Sequence, residues 1–120
     1  MKVIRSKNEN LSVKEKYLMS MSPEIRRMRD LEGMTVPVLN WMLYSDTDRE
    51  GNEQTLLSIL SEDNVAYATN SKTFMEAFTD LCDMFMDNGE EINVVKVIGG
   101  QSKAGRHFIT CAYAEYPVNN

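Results

Sequence analysis

The sequence contains no uninterrupted apolar run near the ~18 residues that a membrane-crossing helix needs, so no transmembrane span is expected. Its N-terminus, MKVIRSKNENLSVKEKYLMS, carries positive charges but lacks an apolar core ahead of a small-residue cleavage site, and so does not read as a secretory signal. Cysteine is scarce: Cys82 and Cys111 complete the count. One falls in a predicted helix and the other in a predicted strand, each among apolar neighbours. They read as buried free thiols of a reducing, cytoplasmic compartment. Two cysteines and one histidine cannot close a four-ligand zinc site without carboxylates, and neither metal nor other cofactor is expected. The single histidine, His107, lies four residues from Cys111 on one strand, a separation of about 13 Å that is too long for nucleophile activation. There is no P-loop and no dinucleotide fingerprint; GGQSKAGR is glycine-rich but opens no helix. Asp46-Thr-Asp48-Arg-Glu50-Gly51 begins like a calcium loop, yet the twelfth position is Leu57 where a bidentate Glu is required, and the flanks are strands. The chain is therefore not expected to be an enzyme.

What remains is one domain's worth of chain: 120 residues, 42% apolar, enough to bury a core without metal or disulfide support. Nine methionines read mainly as adaptable core filler. The net charge of −5 conceals an asymmetry. Residues 1–29 hold eight Lys and Arg against three Glu, whereas the rest hold five basic and fifteen acidic groups. A basic arm on an acidic body suits an anionic partner, or packs against its own body.

Residues 1–10 are polar and terminal and read as loosely held. Ser12 and Glu15 are spaced as a capping box, and Tyr17, Leu18 and Met21 give the helix that follows an apolar side. Ser22-Pro23 reads as the start of a second short helix with Ile25 and Met28 on one face. Residues 1–32 thus form a basic arm with short helices. From Met34 the pattern changes. MTVPVLNWMLYS is a strand whose Pro37 belongs near an edge or bulge. DTDREGNE is a hairpin loop, QTLLSILS a second strand, EDN a turn and VAYAT a third strand. A helix follows, capped by Asn70, Ser71 or a Thr73–Glu76 box. Its face Phe74, Ala77, Phe78, Leu81, Phe85 is continuous, and Asn88-Gly89 ends it. EINVVKVIGG and RHFITCAYAEY are two final strands joined by a glycine-rich loop, with residues 117–120 as a short tail.

The order β-β-β-α-β-β over residues 33–116 matches a mainly β (α+β), five-stranded OB-like Greek-key barrel with an N-terminal helical extension. The loops between strands one and two and between strands four and five would border its ligand groove. Sequence-tolerant single-strand binders need cations along a groove and aromatic faces for base stacking. Lys103 and Arg106 lie in the last loop and Lys96 on the fourth strand; His107, Phe108 and Tyr113 lie on the fifth. Trp41 and Tyr44 occupy opposite faces of the first strand, so one of them is expected to be the more exposed, and Tyr67 is flanked by alanines on the third. Each also suits an ordinary core or loop role. The acidic body opposes phosphate binding, but the basic arm can reach a strand, and stacking adds roughly 1–3 kcal/mol per base independent of charge.

VAYATNSKTFMEAF and GGQSKAGRHFITC, at their spacing, resemble small phage-encoded single-stranded DNA-binding proteins, with the similarity spanning roughly residues 12–115. The resemblance implies an OB-type barrel that coats strands exposed in phage DNA replication, and no catalytic residue. It implies contacts by Lys103, Arg106 and Phe108, which match its Ser-Lys-x-Gly-Arg-x-Phe segment. The chain ends Tyr116-Pro-Val-Asn-Asn rather than in the acidic tail that many single-strand binders use, so recruitment through a tail is not expected. Expected partners are single-stranded DNA or RNA, further copies of the chain and replication proteins, with no membrane. The competing reading, from the acidic balance of residues 30–120, is a protein-interaction module or inhibitor that mimics nucleic acid toward a basic partner.

Overall fold

The computed structural model describes residues 1–114. The last residues expected of the fifth strand, 115–116, and the tail 117–120 lie outside the described residues. Two compact units are present, the first Met1–Arg27 with Leu39–Asn70, the second Met28–Val38 with the chain from Ser71 onward.

The first unit is built on a five-stranded sheet. Its strands are β1 (Lys2–Ser6), β2 (Arg26–Arg27), β4 (Asn40–Thr47), β5 (Glu53–Leu60) and β6 (Ala66–Thr69), in the order β1-β4-β5-β6-β2. All ladders are antiparallel except β2–β6. β4 and β5 pair without a break from Asn40–Leu60 to Thr47–Glu53. The expected hairpin loop joins them. Asp48 Oδ1 accepts from the backbone N–H groups of Glu50 and Asn52, and Gly51 supplies φ of +85°. The carboxylate that resembles a cation ligand in sequence therefore organises the turn.

α1 (Val13–Ser20) covers one face of this sheet. The Ser12–Glu15 capping box forms as expected, with Ser12 Oγ accepting from Glu15 N at 3.0 Å and Glu15 Oε1 from Ser12 N at 3.1 Å. Glu15 Oε2 also accepts from the buried Asn40 amide at 2.6 Å, tying the helix to β4. The capping and Asn40 bonds hold the Glu15 carboxyl below its ordinary range. At the other end, Ser58 and Tyr44 donate their hydroxyls to the Met19 carbonyl. These tethers set the helix's rotation. Met19 and Leu18 turn inward with Leu11, Met42, Tyr44, Leu60 and Ala66, while Tyr17 and Met21, expected on the buried side, face solvent.

Two further expectations for the N-terminal region are corrected. Residues 2–6 are not loose: they form β1, with Val3 registered against Tyr44 and packed against the core. Ser22-Pro23 does not open a helix. Arg26 and Arg27 take backbone partners from β6, and Met28–Leu31 closes as a short 3₁₀ turn. Long-range strand pairing outcompetes a local helix too short to hold itself.

The second unit holds the three-stranded antiparallel sheet β3 (Thr35–Pro37), β7 (Val94–Gln101) and β8 (His107–Tyr113), in the order β3-β7-β8, with α2 (Lys72–Asp87) packed against β8. Ser71 caps α2, accepting from Phe74 N, while Thr73 donates its hydroxyl to the Ile109 carbonyl instead of forming a box with Glu76. Phe74 and Phe78 of the predicted face are buried, with Cys82 beside them, and Ala77, Leu81 and Phe85 are half-buried. Glu90 N returns to Phe85 O, and Gly89, at φ of +74°, ends the helix.

The expected first strand is divided. Pro37 ends β3 on the edge of the three-stranded sheet, as its missing donor requires, and β4 begins at Asn40 in the other sheet. The protein is thus α+β, with two α-helices, a five-stranded mixed sheet and a three-stranded sheet among the described residues. No ladder closes these sheets into a barrel among the described residues.

Candidate nucleic-acid interface

The second unit carries six of the residues singled out above on one ribbon, β7–β8 and its turn: Lys96, Lys103, Arg106, His107, Phe108 and Tyr113. Strand alternation sorts them by face. Lys96, Ile98 and Gly100 register against Ala112, Thr110 and Phe108, so these six share a side. Val95, Val97, Ile109 and Cys111 occupy the other side and are buried. The first side is open: Lys96 and Ile98 are exposed, and Phe108, Thr110 and Ala112 are half-buried. A cation, an aliphatic side chain and an aromatic ring therefore lie along one accessible strip. Phe108 reaches across to β7, where a Cβ at Gly100 would stand 2.8 Å from the ring tip. The second glycine of the pair lets the ring lie against backbone.

The ribbon ends in a closed turn. Ser102 N donates to Arg106 O and Gly105 N to Ser102 O, each at 2.9 Å, while Arg106 N donates to Ser102 Oγ at 3.2 Å. Gly105 takes φ of +81°. Lys103 and Arg106 are both exposed on this hydrogen-bonded turn. A pair of cations on an ordered turn loses less conformational freedom on meeting a phosphate chain than the same pair on a loose loop.

His107 lies at the foot of the turn but on the opposite face from Phe108. Its Nε2 is 3.0 Å from Glu32 Oε1, and the Glu32 carboxylate lies over Gly99, where a Cβ would collide with it. Tyr113, at the far end of β8, packs its ring against Phe85 with centroids 5.1 Å apart.

The aromatic candidates of the first unit have different settings. Strand alternation predicts one exposed ring in the Trp41–Tyr44 pair, and neither is exposed: they are 3% and 2% accessible. β4 is an interior strand, hydrogen-bonded on both edges and buried on both faces. The Arg5 guanidinium stands 5.6 Å from the Trp41 ring centroid, a cation–π contact within the fold. Tyr44 donates its hydroxyl to Met19 O, and burial raises its pKa above the ordinary value. Neither ring presents a face to a base. Tyr67 is half-buried and registers beside Arg26 of β2, an exposed cation adjoining an aromatic ring. Sequence patterning misses that pairing because Ser22-Pro23 points to a helix through Arg26. The Gly99-Gly100 pair within a strand is the available sign of close approach on β7. Among the described residues no group of three or more His, Cys, Asp or Glu side chains could hold a metal ion. No helix among them is long and apolar enough to cross a membrane.

A protein-family model described as Phage Single-stranded DNA-binding protein matches residues 26–113, well over half of the chain. The single-stranded DNA-binding proteins of Bacillus phage PZA and Bacillus phage phi29 are each 36% identical to it over 73 residues, 61% of this chain. The chain spans 59% of the length of these relatives. No solved structure matches it.

Proposed function

Because the chain belongs to the phage single-stranded DNA-binding protein family, we propose that it is itself a sequence-tolerant binder of single-stranded DNA, coating or protecting strands exposed during phage-type replication or recombination. The observation that carries this reading is the β7–β8 ribbon. In a chain of net charge −5, it displays Lys103 and Arg106 on an ordered turn and continues into an open face bearing Phe108 and Lys96. The two turn cations contact phosphates, Phe108 stacks on a base, and Lys96 extends the track along the same face. His107 adds a contact at the foot of the turn. Tyr67 beside Arg26 offers the same pairing of ring and cation in the first unit. Trp41 and Tyr44, being buried, take no part.

The ladder pattern supports an OB plan in opened form. The first strand divides at Pro37, pairing with β7 through its first part and with β5 through its second, and α2 follows the third strand of that plan. The proposed partners are single-stranded DNA, further copies of the chain and replication proteins.

The test is fluorescence anisotropy of labelled oligo-dT titrated with the protein at two salt concentrations. Salt-sensitive binding is expected, and competition by oligo-rU separates DNA from RNA preference. Absence of binding at low salt removes this reading. It would favour the acidic-module alternative, for which α2 offers the exposed carboxylates Glu76, Asp80, Asp83 and Asp87.

A further inference from the structure

We propose that Glu32 is a positioning residue of the nucleic-acid interface: through His107 it clasps the outer end of the β7–β8 ribbon and fixes where the turn holds Lys103 and Arg106. This role rests on the proposed function. β3 pairs with β7 as far as Thr35–Lys96, and Gly33 and Met34 carry backbone bonds on to Val97. From Ile98 to Gln101, β7 is in ladder register with β8 alone among the described residues. The end of the ribbon that bears the turn thus runs past the third strand. Two strands without a third are marginal by themselves.

Glu32 supplies the next link. Its backbone is set where the 3₁₀ turn meets β3: Glu32 N donates to Arg29 O at 3.2 Å and Gly33 N to Val97 O at 2.8 Å. Its side chain crosses β7 over Gly99 and ends 3.0 Å from His107 Nε2 on β8. Gly99 registers with Ile109, and His107 stands two residues nearer the turn on the same face. One side chain therefore ties the β3 edge to β8 across β7, and the missing Cβ at Gly99 lets it pass. An ionised carboxylate only accepts, so the ring nitrogen facing it carries the hydrogen. The two glycines serve opposite faces: Gly99 admits the Glu32 carboxylate, and Gly100 the Phe108 ring. The His107 and Glu32 side chains are 40% and 43% exposed, and a pair so exposed adds little folding energy. Its consequence is orientation: a ribbon end held in one place loses less freedom on binding. Charge alone predicts the reverse effect, because a carboxylate close to a phosphate-binding turn repels the ligand.

Oligo-dT anisotropy at low salt tests the role with Glu32→Gln, Glu32→Ala and Gly99→Ala. Glu32→Gln and Glu32→Ala carry equal charge, but only Gln keeps an oxygen that accepts from His107. Glu32→Ala is expected to bind at least about threefold more weakly than Glu32→Gln. Gly99→Ala keeps every charge and fills the carboxylate's seat, so the flexible Glu32 side chain swings off and His107 is released. It should weaken binding to a similar extent. In a Lys103→Ala, Arg106→Ala background the gap between Gln and Ala at position 32 should close, because the groups being positioned are gone. Equal binding by Glu32→Gln and Glu32→Ala, or wild-type binding by Gly99→Ala, overturns the proposal. So does a gap that persists without the two cations, since a general loss of structure would leave it in place. Amide exchange without DNA reads the clasp directly: the turn N–H groups of Ser102, Gly105 and Arg106 should exchange faster in Glu32→Ala than in Glu32→Gln, and equal rates overturn it. If the wild type fails to bind oligo-dT, the functional reading falls and the exchange rates still judge the clasp.

Discussion

Replacing Lys103 and Arg106 together with alanine separates charge from stacking in the proposed interface. Both side chains are exposed on a turn closed by backbone bonds and by Ser102, so truncating them leaves the turn intact. Each phosphate neutralised on a single strand contributes about 0.7 to the slope of log K against log salt. Removing both cations should therefore lower the slope by about 1.4. From about 50 to about 200 mM salt, the affinity gap between wild type and variant then narrows roughly sevenfold. Phe108→Leu should behave oppositely. Leucine keeps an apolar cover over Gly100 but removes the π-face, so affinity falls by about 1–3 kcal/mol at every salt concentration with the slope unchanged. The assay is oligo-dT anisotropy over a salt series for all three proteins. Parallel salt lines for wild type and the double variant would refute the phosphate role of the turn. A changed slope for Phe108→Leu would refute stacking by the ring.

Other outcomes follow from the packing. Glu15→Ala removes the capping-box acceptor and leaves the buried Asn40 amide without its partner, so urea unfolding should show a loss of about 2 kcal/mol; a loss under about 0.5 kcal/mol would contradict the tether. Because Glu15 titrates below its ordinary value of 4.5, its stabilisation is complete above that pH and fades as pH falls through the lowered value. Glu15→Ala should flatten that part of the stability–pH curve. Trp41 emission should stay constant as oligo-dT is added, and strong quenching would show that the ring is not buried as found. Burial, with Cys82 nearby, pushes the Cys111 thiol up to about 12, so iodoacetamide at pH 8 should modify it only on unfolding; prompt reaction of the native protein would count against that burial.

The readable parts of this chain are those whose determinants are local. Ser12 and Glu15 sit three apart, and the box they form needs no other element. Phe74, Phe78 and Cys82 recur at helical spacing, and α2 runs to the expected Asn88-Gly89 stop. Alternation and the glycine-rich loop reveal β7 and β8, and with them the ribbon bearing Lys96, Lys103, Arg106, His107 and Phe108. Pairing over long separations is not readable. KVIRS becomes a strand because β4 offers it an edge, and Arg26-Arg27 because β6 does, and neither segment carries a strand signature strong enough to show alone. The same limit hides the division of the first strand at Pro37 and leaves the period of β4 unable to show that both its faces are covered. By itself, then, the sequence determined the two helices, the hairpins and the cationic turn, through capping, periodicity and turn chemistry within a few residues. The tertiary structure alone decided which aromatic rings remain accessible, that His107 turns to Glu32, and that Val13, Tyr17 and Met21 face outward, because burial depends on partners brought together from distant parts of the chain.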